Sequence, residues 1–131
     1  MKWISKGKKK TYSIKRFFKS FGYAFNGIVL AFKTEQNLLF DLVFAILAII
    51  LGIVLKLSLI EFAIVILVIG LVISLELVNT AIEYVVDMAM PEIHPLAKIS
   101  KDVAGGAVLV SAIIAFIIGL IIYLPKIIEL F

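Results

Sequence analysis

The chain has 131 residues, 63% of them hydrophobic, and a mean hydropathy of +1.19, well outside the range of soluble globular domains. That length accommodates one compact unit of roughly three membrane spans of about 20 residues each, with a flanking segment and no second domain. With 13 Lys and Arg against 9 Asp and Glu, a net charge of +4, one His and no Cys, the composition excludes a disulfide framework, a Cys-ligated zinc site, thiol catalysis and a His-rich metal site.

The first element is a basic tail, residues 1–11, with Lys2, Lys6, Lys8, Lys9 and Lys10. Every charge before Glu35 is positive, because Lys15, Arg16, Lys19 and Lys33 continue the series. Beside a membrane segment such a cluster reads as a contact for anionic lipid headgroups, each basic side chain contributing about 1 kcal/mol, and not as a nucleic-acid arm. A signal peptide is not indicated, since the first long apolar run begins only near Leu38 and no small-residue cleavage site follows it.

Residues 12–34 form the next expected element. In SIKRFFKSFGYAFNGIVLAFK, the residues Ile14, Phe17, Phe18, Phe21, Phe25, Ile28 and Phe32 recur at spacings of three and four. Lys15, Lys19, Asn26 and Lys33 fall largely elsewhere, which predicts an amphipathic helix lying flat in the membrane interface.

Three membrane helices are expected after it, over residues 38–57, 59–87 and 96–124, the last with its apolar run from about Val103. KLSLIE, Lys56 to Glu61, separates the first two and implies a tight antiparallel hairpin. The basic residues concentrate in the N-terminal segment and in the loop from Met88 to Lys101, which places both on the cytoplasmic side. The hairpin and the terminal IIELF then lie outside, where Tyr123 and Lys126 suit the interface.

The second span continues into ISLELVNTAIEYVVDMA, with Glu76, Asn79, Glu83 and Asp87 on a helix that begins as pure hydrocarbon. At about 100° per residue these four share one face, and Glu76 and Glu83 stand about 10 Å apart along the axis. A carboxylate facing lipid costs several kcal/mol, so the stripe faces protein, water or a ligand. The plainer reading makes Glu76 a neutral acid joining helices and Asp87 a solvated or capping residue. Glu35 precedes the first span, and Lys98, Lys101 and Asp102 precede the third, all at the same expected face. Carboxylates without basic partners suit a divalent cation, and Mg²⁺ prefers one or two carboxylates with phosphate oxygens, which nearby lysines would also meet. The pattern suggests phosphoryl transfer at a membrane surface. No GxxxxGK[ST], GxGxxG, HRD or DFG signature is present, which excludes P-loop and protein-kinase folds. Gly105 and Gly106 read as close helix packing before a phosphate cradle.

ELVNTAIEYVVD followed by EIHPLAKISKDVAGGAVL resembles the signature region of the prokaryotic diacylglycerol kinase and undecaprenol kinase family of small membrane lipid kinases. The likeness extends back through RFFKSFGYAFNG and KTEQN and covers about residues 12 to 124. It implies an all-α integral membrane fold, an amphipathic surface helix plus three transmembrane helices, assembled as a homotrimer with shared active sites. It further implies ATP with Mg²⁺ as donor, a lipid alcohol as acceptor and a bacterial inner or plasma membrane location with the site on the cytoplasmic face. By the resemblance Glu76 is the catalytic carboxylate, and Glu35 and Glu83 bind the metal. Lys101 meets the phosphates, Asp102, Arg16, Tyr23, Glu92 and His94 fall at nucleotide-binding positions, and Asn79 and Asp87 support the site. His94, beside Pro95, also reads simply as a loop-shaping residue. The IHPLAKISKDVAGGAVL wording is more similar to the branch favouring undecaprenol, with diacylglycerol the alternative. On the carboxylate stripe alone, a small oligomeric cation channel or transporter is the competing class; it leaves the surface helix and Lys101 without a role.

Overall fold

The computed structural model describes residues 12–131, and the basic tail expected at 1–11 lies outside that range. The described chain is helical throughout its regular structure, with α1 Ile14–Thr34, α2 Gln36–Val54, α3 Leu59–Ala89 and α4 Pro95–Glu129. The last three are long and apolar enough to cross a membrane. At 1.5 Å per residue, α3 and α4 measure about 46 and 52 Å, beyond the ~30 Å hydrocarbon core, so both project past it.

Each helix begins and ends for a local reason. The Ser13 hydroxyl accepts a hydrogen bond from the Arg16 backbone N–H at 3.1 Å and opens α1. Glu35, extended at φ −109° and ψ 112°, interrupts the helical path, and its N–H still donates to Ala31 O at 2.8 Å. One residue therefore closes α1 and opens α2. At the other end of α2, Lys56 takes the left-handed conformation, φ 58°. Its N–H donates to Ile53 O at 3.2 Å and that of Leu57 to Gly52 O at 3.0 Å, the paired bonds that end a helix on a left-handed residue. α3 starts at once from a capping box: Ser58 Oγ accepts from Glu61 N at 3.2 Å, and Glu61 Oε1 accepts from Ser58 N at 2.9 Å. Gly52 lets the Phe62 ring pack closely, because a Cβ would stand 3.0 Å from that ring and the ring would have to give. His94 Nδ1 accepts from Leu96 N at 3.1 Å, and Pro95 follows at the first helical position of α4.

α3 and α4 form the largest interface, α2 packs on α3, and α1 lies against α2 and α3. The apolar core sits at the hairpin end around Leu57, Val65 and Ile122, with Phe62, Ile118 and Tyr123 packed on it. Tyr123, expected at an interface with water, turns inward instead. Its hydroxyl donates to Ala48 O at 2.7 Å, which satisfies the polar tip that a buried Tyr must pair. Lys126 likewise spends its charge on Glu61 of α3, at 3.3 Å. Between 11 and 17% of each span's most hydrophobic window is buried within the chain, so most of the apolar surface is left for lipid or further protein.

Candidate functional site

At the opposite end of the bundle the polar residues gather on α3. Glu76 is 5% exposed in an otherwise apolar stretch, and Thr80, equally buried, donates its hydroxyl to Glu76 O at 2.9 Å. That bond occupies the backbone carbonyl and leaves the carboxylate itself unspent on the helix. Glu35, Asp41 and Glu83 are the charged groups whose fields reach Glu76. The extended backbone at Glu35 takes its side chain off the regular helical track, and its carboxylate makes no capping bond to α2. The α1–α2 joint, through Glu35, and α2, through Asp41, thus bring acidity to the same corner as Glu76 and Glu83 of α3.

One turn beyond Glu76, the Asn79 side-chain amide donates to Glu83 Oε1 at 3.0 Å. Its Oδ1 is closed to solvent and meets no hydrogen-bond partner among the described residues. Such a buried acceptor costs about 1–3 kcal/mol until something donates to it. Glu83 is half-buried, held by Asn79 on one side and within the field of Lys101 from α4 on the other.

The charged residues at the start of α4 divide between two arrangements. Lys101 crosses to α3 and pairs with Asp87 at 2.5 Å, and Lys98 pairs along its own helix with Asp102 at 2.6 Å. Both pairs are exposed, so water screens them and they are weak enough to be exchanged for a ligand's phosphates. Asp102 therefore stands with Lys98 and not with its neighbour Lys101.

The remaining residues singled out in the sequence lie on α1, in the α3–α4 linker and at the start of α4. Arg16 and Tyr23 lie on α1, where Tyr23 is largely exposed. Glu92 is exposed in the α3–α4 linker. His94 caps α4 through Nδ1, leaving Nε2 as the ring nitrogen that could meet a ligand. Sequence reasoning passed over Asp41, the single acid in the apolar run of α2. A charge inside a span is itself the signal, and its Oδ2, like Asn79 Oδ1, is closed to solvent without a partner among the described residues.

Chemically, the corner offers carboxylates at graded depth, with lysines at its exposed rim. Among the described residues no group of three or more His, Asp or Glu side chains is assembled to hold a metal ion. The chain supplies part of a coordination shell, and that suits a cation arriving with phosphate oxygens of its own.

Comparison with known proteins matches residues 22–123 to the model of the prokaryotic diacylglycerol kinase family. The chain is 50% identical to the undecaprenol kinase of Bacillus subtilis over 113 residues, 86% of this chain and 92% of that protein. It is 42% identical to a diacylglycerol kinase of Synechocystis, over 85% of this chain and 64% of the relative. A diacylglycerol kinase of Helicobacter pylori is 36% identical over 84% and 87% of the two chains.

Proposed function

The chain belongs to the prokaryotic diacylglycerol kinase family and is a lipid kinase, and from that premise we propose that it phosphorylates undecaprenol, with Mg·ATP as the donor. The observation that carries the reading is Glu76, a buried carboxylate inside a membrane helix with acidic neighbours from two other elements and a lysine-bearing rim. The greater identity to the undecaprenol kinase favours that acceptor over diacylglycerol; each offers a primary hydroxyl on an apolar tail.

In the proposed mechanism Glu76 accepts the proton of the lipid hydroxyl as its oxygen attacks the γ-phosphorus. The bond from that phosphorus to the bridging oxygen breaks, and ADP leaves. Glu35 and Glu83 would hold Mg²⁺, which neutralises charge on the phosphates when bound. Asn79 fixes the Glu83 carboxylate through its amide. Lys101 exchanges Asp87 for the phosphates as a point charge, and Asp102, Arg16, Tyr23, Glu92 and His94 complete the nucleotide's surroundings.

The assembly is proposed to be a homotrimer, because three helices of one chain cannot enclose the polar corner and much of their apolar surface is unburied. Residues 1–131 then form one kinase domain. Segment 12–34 lies flat at the surface, its Phe17, Phe21 and Phe25 exposed for the acyl region and its lysines for anionic headgroups. The Lys and Arg asymmetry puts the site on the cytoplasmic face of a bacterial plasma membrane.

The test is phosphorylation by purified protein with Mg·ATP against undecaprenol, diacylglycerol and ceramide. The expected result is the highest kcat/KM on undecaprenol; a preference for diacylglycerol would overturn the assignment of substrate.

A further inference from the structure

At the end of α3, Asp87 stands where local structure disfavours a carboxylate. It falls in the last turn of a helix that ends at Ala89 and has no basic residue in that turn, so the negative end of the helix dipole acts against its charge. Glu83 lies four residues before it on the same helix, and like charges at that spacing repel. Backbone alone closes α3, the Met90 N–H donating to Val86 O at 2.8 Å. What offsets the repulsion at Asp87 is Lys101, which reaches across from α4 to its Oδ1 at 2.5 Å, the two side chains 39% and 63% exposed for Lys101 and Asp87.

Lys98 is held differently, by Asp102 on its own helix at 2.6 Å. Among the described residues, the ion pair that crosses between α3 and α4 at this rim is therefore Lys101–Asp87. An exposed pair is weak and screened by water, and it adds little between two helices that already share the largest interface of the fold. Its carboxylate does offer the lysine what a phosphate would, oxygens bearing negative charge. The pair thus contributes little to stability while occupying the cation that the kinase reading gives to the nucleotide.

We propose that Asp87 is a resident competitor for Lys101, displaced when the nucleotide enters and reclaiming the lysine as ADP departs, an inference resting on the kinase reading. In the bound state Lys101 faces phosphate oxygens. Asp87 is then left beside the negative helix end and the phosphates without its offsetting cation. Return of Lys101 relieves that repulsion and favours the empty rim. No covalent step is involved, since one ion pair is exchanged for another. Asp87 therefore weakens the binding of substrate and product nucleotide alike, and it speeds release.

The experiment measures KM for Mg·ATP and, independently of turnover, Kd for Mg·ADP by titration calorimetry in detergent. It compares the unmodified protein with Asp87→Asn, Asp87→Glu, Lys101→Met and the double variant Asp87→Asn with Lys101→Met. Removing the competitor should lower both constants about 2- to 5-fold in Asp87→Asn, the range an exposed ion pair can supply. Asp87→Glu keeps a carboxylate and should stay nearer the unmodified values. Without Lys101 there is no cation to compete for, so Asp87→Asn should tighten Mg·ADP less in the Lys101→Met background. A raised Kd in Asp87→Asn would make Asp87 a residue that positions Lys101 for the phosphates. An unchanged Kd would make the pair incidental, and a lowered thermal midpoint would make it structural. Each of these overturns the proposal, as does a gain equally large without Lys101. The kinase reading survives them all if the unmodified protein phosphorylates a lipid alcohol with Mg·ATP. If it neither binds Mg·ATP nor phosphorylates any alcohol, both fall.

Discussion

At the scale of single residues, burial separates the roles proposed for the carboxylates. Glu76 is buried while Glu83 is only half-buried, a difference that suits the proposed roles of base for a lipid hydroxyl and metal ligand nearer water. Glu76→Gln keeps size and most hydrogen bonding. It should lower turnover roughly 10²- to 10⁴-fold, the range for removing a general base, while binding of a non-hydrolysable ATP analogue persists. Loss of both would move Glu76 to the metal or to the scaffold. Glu83→Gln should instead raise the Mg²⁺ concentration needed for half-maximal rate, and an unaltered Mg²⁺ dependence would remove it from the metal shell. The periodicity of Glu76, Asn79 and Glu83 made this face legible in sequence, because helical spacing alone decides which side chains share it. Asp41 was not legible in that way. One acid among Leu and Phe has no periodic partner, and its surroundings come from two helices distant in sequence.

Elements were legible to different degrees for related reasons. Long uninterrupted apolar runs declare spans, and KLSLIE declares a hairpin. What the sequence does not declare is how little chain each joint needs: one extended residue, Glu35, between α1 and α2, and one left-handed residue, Lys56, at the hairpin. A non-glycine residue in that conformation is strained by about 1 kcal/mol. Lys56→Gly should therefore stabilise the protein by about that amount, read as a higher midpoint of thermal unfolding in detergent. For α1, Phe21→Asp places a charge on the proposed acyl-facing side and should reduce activity on long-chain lipid in a folded protein. Equal activity would make the helix a dispensable anchor. Tyr123 illustrates the limit of local reading: an aromatic near the end of a span is ordinarily interfacial, and only the Ala48 carbonyl, 75 residues away, explains why it turns inward.

Across the whole molecule, cohesion and chemistry occupy opposite ends. Leu57, Val65, Ile122 and the Tyr123–Ala48 bond lie at the hairpin end, and the acids and exchangeable ion pairs lie at the other. Tyr123→Phe should cost about 1 kcal/mol of stability and lower the unfolding midpoint, with KM for both substrates preserved. A changed KM would mean that the two ends are coupled. That long-range bond, together with the Lys126–Glu61 pair, also has a mechanical meaning. Fastened at one extremity and held at the other by contacts that water or phosphate can replace, the three long helices resemble tongs with a riveted pivot. Amide hydrogen exchange should then be slower at the riveted end than at the tips, where the contacts are those that water can replace.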